Sequence, residues 1–143
     1  MVLVDSDVWS EAFRKQSEGL SPEVLALRDL IDTEQVLTIG PIRQEVLSGL
    51  SDTKKYENIR KILRSFPDEV ISTDVFELAA KFFNHCRSNG IQGSHTDFLI
   101  CACSVSWDVQ ILSKDNDYKH YAKLIPILLY DIKGQPIGGG DLE

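Results

Sequence analysis

The chain opens on Val2-Leu3-Val4, an apolar run of strand length that stops at Asp5-Ser6-Asp7. Apolar residues at helical spacing follow at once: Val8, Trp9, Ala12 and Phe13. The same sequence of short run, break and helix recurs. Ser21-Pro22-Glu23 sets a capping hydroxyl before a proline suited to the first helical position, and Val24, Leu27, Leu30 and Ile31 supply an apolar face. Val36 to Ile39 is β-rich, and Gly40-Pro41 breaks it and opens a helix with Ile42, Val46 and Leu47, ending near Gly49. Thr53 to Arg64 reads as a further helix that Pro67 terminates, and Glu69 to Ile71 as a short strand. Thr73 is placed to cap a long helix with Val75, Phe76, Ala79, Ala80, Phe83 and Cys86 inward, stopping at Asn89-Gly90. A helix over Thr96 to Ser106, a strand over Val109 to Leu112, a short segment over Tyr118 to Ala122 and a strand over Ile127 to Leu129 complete the pattern. Strands separated by helices cannot pair as hairpins, and helical crossovers return the chain in parallel. The sequence predicts one α/β domain with a parallel sheet.

At 143 residues such a domain can bury a core without disulfides or metals as staples. No run approaches the roughly 18 apolar residues of a membrane span, the N-terminus has no basic region of a signal peptide, and three cysteines without a Cys-x-x-Cys pair suggest reduced thiols. A cytoplasmic location is expected. The 22 acids against 15 lysines and arginines give a net charge of -7, which argues against sequence-blind adhesion to nucleic acid or membrane.

The acids are not evenly spread. In an open parallel sheet, ligands bind beyond the carboxyl ends of the strands. Asp5 follows the first strand there, and Asp115 lies just past Val109 to Leu112. Glu45 is one turn into the Pro41 helix, and Asp97 is in the first turn of the Thr96 helix, where the dipole favours an anion. Carboxylates packed together repel unless a cation sits between them, and oxygen donors without Cys or His suit Mg²⁺ or Mn²⁺. Such an ion activates water and offsets charge on a phosphoryl group, so the chemistry in view is attack on a phosphodiester. Each acid also has a plain structural reading: Asp5 a helix cap, Glu45 a solvated helix residue, Asp97 a dipole partner, Asp115 a turn former.

Four stretches taken together resemble a PIN domain: Val2-Leu3-Val4-Asp5-Ser6-Asp7-Val8, Ile42-Arg43-Gln44-Glu45-Val46, Thr96-Asp97-Phe98-Leu99-Ile100 with Ala102, and Ile111-Leu112-Ser113-Lys114-Asp115-Asn116-Asp117-Tyr118. More narrowly they resemble the VapC-type toxins of prokaryotic toxin–antitoxin modules. The similarity runs to about Tyr130. It implies a three-layer α/β/α fold with a central, mostly parallel sheet and a single domain over residues 1–137, while Gly138 to Gly140, glycines in series that cost backbone entropy to order, mark a flexible tail over 138–143. It also implies a Mg²⁺- or Mn²⁺-dependent endoribonuclease with Asp5, Glu45, Asp97 and Asp115 as catalytic metal ligands and Asp117 sharing through water. Ser6, Asp7, Thr96 and Ser113 would be accessory. A homodimer, a VapB-like antitoxin partner and an RNA substrate follow from the same resemblance. Two departures are visible: Tyr118 stands where the family often has Phe, and Gly93-Ser94-His95-Thr96 is an unusual lead into Asp97.

Other features admit other readings. Asp5-Ser6-Asp7 also resembles the nucleophile motif of haloacid-dehalogenase-like phosphatases, with Thr38 and Ser113-Lys114 as partial matches for its later motifs, although Glu45 then has no role. A non-catalytic module that binds RNA or a partner is a further alternative. Lys54, Lys55, Arg60, Lys61 and Arg64 make one helix basic, either as a solvated face or as a phosphate-contacting rim to which Arg43 and Lys114 could add. His85, His95 and His120 lack ligand spacing, and Cys101 and Cys103 point to different helix faces. Phe82 and Phe83 cannot both face inward, so one could mark an exposed patch such as a dimer surface.

Overall fold

The structure, a computed structural model, describes residues 1–14 and 19–132. Four short strands, β1 (Val2–Val4), β2 (Val36–Leu37), β3 (Gln110–Leu112) and β4 (Leu128–Leu129), form one sheet in the order β2-β1-β3-β4, every pair parallel. Helices flank it: α1 (Ser6–Phe13), α2 (Pro22–Asp32), α3 (Gly40–Ser48), α4 (Thr53–Leu63), α5 (Thr73–Ser88), α6 (His95–Trp107) and α7 (Asp117–Tyr121). This is the expected α/β architecture. The expected tail and the domain end at residue 137 lie outside the described residues.

Topology matters more here than strand length. The chain leaves β1 for β2 on one side and later returns to place β3 on the other, so strand order reverses between β1 and β3. Val2, Leu3 and Val4 register with Gln110, Ile111 and Leu112. The residues just past both strands, Asp5 and Ser113, therefore emerge side by side at the topological switch point, where a sheet of this kind opens a crevice.

Buried apolar side chains hold the layers together. Leu3, Val4, Val8, Ile39, Ile100, Cys101, Ala102, Cys103 and Ile127 are completely enclosed. Full burial of an aliphatic side chain stabilises by roughly 1.5–3 kcal/mol, so a helix such as α6, enclosed on every side, is fixed firmly in place. All seven residues from Phe98 to Ser104 are buried. Cys86, Cys101 and Cys103 are free thiols inside this core.

Several boundaries differ from the sequence expectation for identifiable reasons. β2 ends at Leu37 because buried Thr38 turns its hydroxyl to the carbonyls of Phe66 and Pro67 and forms only an isolated parallel bridge with Asp68. The strand expected over Glu69 to Ile71 is accordingly absent. Ser72, not Thr73, is the N-cap of α5, and Val75, Ala79, Phe82 and Cys86 form its buried face. Phe76 is 51% exposed, Ala80 is exposed, and Phe83 lies at the margin, stacked on His95 with ring centroids 4.7 Å apart. Among the described residues, no helix is long and apolar enough to cross a membrane.

Candidate active site

Asp5 occupies the N-cap of α1 in an extended conformation, with one carboxylate oxygen accepting from the Ser6 amide at 2.8 Å. Its other oxygen accepts from the Ser113 hydroxyl at 2.9 Å, which ties β1 to β3. The structural reading of Asp5 as a cap is thus correct and leaves its second oxygen engaged across the switch point. From Asp5 the network extends both ways. Ser6 Oγ donates to Glu45 Oε1 at 2.8 Å, bringing α3 to the site. Ser113 Oγ accepts from the Asp115 amide at 3.0 Å, and Asp115 Oδ1 accepts from the Asp117 amide at 2.9 Å, which folds the loop after β3 into α7. The structural reading of Asp115 as a turn former is therefore correct too.

Asp7, in the first turn of α1, accepts from the Lys114 amide at 3.1 Å through Oδ2, and the Ser113 hydroxyl, whose shorter bond is to Asp5, lies 3.3 Å from the same oxygen. Its Oδ1 is buried without a hydrogen-bond partner among the described residues. Asp97 sits in the first turn of α6, whose N-cap Ser94 accepts from the Asp97 amide at 3.0 Å. The unusual Gly93-to-Thr96 lead is thus a serine-capped helix start, with Thr96 half-buried beside Asp97.

The electrostatics follow from burial and crowding. Asp5 is only 7% exposed. Desolvation, then the charges of Asp7 and, more weakly, Asp97, push its carboxyl from 3.8 up to about 7, against the hydrogen bonds from Ser6 and Ser113. Burial raises Asp7 as well, with Asp115 contributing. Glu45, Asp115 and Asp117 are exposed at the mouth. Among the described residues, no lysine or arginine forms an ion pair with Asp5, Glu45, Asp97, Asp115 or Asp117; the ion pairs present join Arg43 to Asp68, Arg60 to Glu57 and Lys114 to Glu11.

A buried carboxylate opposed by like charges, surrounded by carboxylate and hydroxyl oxygens, fits a hard divalent cation that keeps part of its water shell. It suits zinc or a softer metal poorly, since the His95 ring is stacked on Phe83 and burial keeps the Cys101 thiol protonated. Among the described residues, no three His, Cys, Asp or Glu side chains converge into a ready-made cage. An open, partly aqueous site is what Mg²⁺ tolerates best.

The PIN domain family matches residues 2–124. The chain belongs to the PIN domain family. No curated protein matches it significantly in sequence. Three solved structures share the PIN fold. FitAcB from Neisseria gonorrhoeae superposes with a TM-score of 0.73 at 20% identity, over 94% of this chain and 100% of that one. FitAB bound to an IR36 DNA fragment gives 0.71 at 22%, over 87% and 92%. VapBC2 from Rickettsia felis, bound to a DNA fragment from its promoter, gives 0.68 at 11%, over 87% and 96%.

The outer residues of the site are placed less uniformly. Lys55 borders a cavity of about 290 Å³ between α1, α3 and α4 that Phe13, Arg14, Glu45 and Ile59 also line, so it lies on the approach to Glu45; Lys54 is exposed on the same helix. Arg43 does not point to that approach. Its guanidinium contacts both oxygens of Asp68 at 3.1 Å and donates to the carbonyls of Leu63 and Phe66, which clasps α3 to the end of α4. Lys114 Nζ pairs with Glu11 at 2.9 Å, fixing the β3 loop to α1. That pairing also removes the lysine the phosphatase reading needed beside Asp5, and the PIN match replaces that reading.

Two hydroxyls have no counterpart in the sequence expectations as partners of Asp97. Tyr121 donates to Asp97 Oδ2 at 2.8 Å, and Tyr118 reaches Oδ1 at 3.4 Å. Burial holds both phenols well above their ordinary range, so they remain donors. Two tyrosines three apart directly after an acidic turn are the signal that marks one helix face.

Proposed function

We propose that this PIN domain is a Mg²⁺- or Mn²⁺-dependent endoribonuclease and the toxin component of a toxin–antitoxin pair. The observation that carries the reading is the hydrogen-bonded chain Glu45–Ser6–Asp5–Ser113–Asp115 across the β1–β3 switch point, built on a buried aspartate without a cationic partner among the described residues. Asp5, Glu45, Asp97 and Asp115 would hold the ion, with Asp117 contributing through water. When bound, the ion acidifies a water and offsets charge developing on the phosphoryl oxygens. Ser6 and Ser113 orient the carboxylates they touch, and Asp7 fixes Ser113 and the Lys114 backbone. Lys54 and Lys55 contact RNA phosphates on the approach past Glu45.

The structures it resembles contain the two-component FitAB and VapBC2 assemblies with DNA, which supports a VapB-like antitoxin as this chain's partner. Exposed Phe76 and Ala80 on α5 offer a surface for a homodimer. Single-stranded RNA incubated with the purified protein should be cut in Mg²⁺ and spared in excess EDTA. The product of a neighbouring reading frame, co-expressed, should copurify and suppress cleavage. RNA left intact in Mg²⁺ and Mn²⁺ alike would remove the nuclease reading and leave a binding module.

A further inference from the structure

We infer that Tyr121, seated on Gly93, is the positioning residue that aims Asp97 at the metal. This inference rests on the proposed role of Asp97 as a ligand. The hydroxyl of Tyr121 donates to one oxygen of that carboxylate at 2.8 Å, whereas the other has only the 3.4 Å contact from Tyr118. One oxygen is therefore anchored and the other is left for a cation, the usual division of labour when an outer hydrogen bond orients a ligating group.

The anchor is rigid. Tyr121 is fully buried, with its ring 4.8 Å from Phe98 and 5.3 Å, edge-on, from Tyr118. The backbone of Gly93 lies directly on the hydroxyl. A Cβ at that position would fall 2.2 Å from Tyr121 Oη, 2.8 Å from Cζ and 3.0 Å from Phe98 Cε2. Gly93 is not among the residues with positive φ, so space and not backbone freedom accounts for the glycine. Because Tyr121 lies on α7, which follows the Asp115–Asp117 turn, the same bond fixes the distance between the two outer arms of the acidic site.

Tyr121→Phe removes one oxygen atom and keeps the ring. Calorimetry with Mn²⁺ should show affinity about tenfold weaker than the parent, in line with the roughly 10–100-fold cost of losing an outer-shell partner. Cleavage should lose kcat with KM for RNA unchanged, and the melting temperature should stay within a few degrees. Gly93→Ala, which keeps the hydroxyl but pushes it aside, should weaken Mn²⁺ in the same way. Leu27→Val, a packing change on α2, which carries neither a proposed ligand nor Tyr121 or Gly93, should lower stability while retaining the parent's Mn²⁺ affinity. Parent-like Mn²⁺ binding by folded Tyr121→Phe overturns the positioning role alone. A parent protein that takes up no Mn²⁺ overturns the metal site, and the positioning role with it.

Discussion

Asp5 caps α1 with one oxygen and holds Ser113 with the other, yet burial beside Asp7 makes its ionised form costly. Its carboxyl titrates at about 7 in the folded chain against 3.8 when free. Between those values the native state holds a proton that the unfolded state has lost, so metal-free stability falls as pH rises from about 4 to about 7 and levels off above. Asp7 adds to the same trend. Glu11, held low by its hydrogen bonds from Lys114 and Ser21, opposes it only below its ordinary range near 4.5. Denaturant melts without metal should therefore give a lower midpoint at pH 8 than at pH 5, and Mg²⁺ should restore it at pH 8. A metal-free midpoint that rises over that interval would contradict the burial argument. Asn at position 5 can still cap α1 and face Ser113, and it carries no charge. Asp5→Asn should consequently melt no lower than the parent at pH 8 without metal, by thermal denaturation, with a gain on the order of 1–4 kcal/mol as an upper range at ~1.4 kcal/mol per pKa unit.

Elements place these residues, and here the sequence was legible in part. The β1 and β3 runs are short, apolar and followed by acids, so Asp5 and Asp115 could be assigned to strand ends before any pairing was known; that the two strands are neighbours is a property of topology. α5 was harder. Val75, Ala79, Phe82 and Cys86 make a well-spaced stripe, but Phe76, Ala80 and Phe83 make a competing one a single residue away, and only packing on α6 decides between them. Ser72 and Thr73 are adjacent hydroxyls equally able to cap. Arg43 looked like a phosphate contact because it precedes Glu45 by two residues; its partners Asp68, Leu63 and Phe66 lie 20 to 25 positions on and leave no local trace. Arg43→Ala should cost about 1–3 kcal/mol of stability from the loss of charge-assisted hydrogen bonds, and Lys should not rescue it because one ammonium cannot span three acceptors. Equilibrium denaturation checks this. An Arg43→Ala protein of unchanged stability but weaker RNA binding would return Arg43 to the rim.

At the scale of the whole molecule, the net charge of -7 is only a sum, and the distribution of the charges bears more directly on partners. Hydrogen bonds through Ser6 and Ser113 link Glu45, Asp5 and Asp115 at one sheet edge, while Lys55 borders the cavity that reaches Glu45 and Lys54 is exposed on the same helix. Changing both lysines to Gln should weaken RNA binding and flatten its salt dependence by a slope of about 1.4, at roughly 0.7 per phosphate contact on single strands. Filter binding across a salt series with EDTA present would show it, and an unchanged slope would make α4 a solvated face. The family match and the three similar structures establish the PIN fold; the proposed activity rests on the acids. The most direct measurement is the rate of single-stranded RNA cleavage in Mg²⁺ by the parent, Asp5→Asn and Asp97→Asn proteins, each confirmed folded by its melt. The metal-nuclease account predicts cleavage by the parent, its loss in EDTA, and a fall of at least about a hundredfold in each variant, the scale set by removing a group central to transition-state stabilisation. Mg²⁺-dependent cleavage at parental rates by both variants would contradict it.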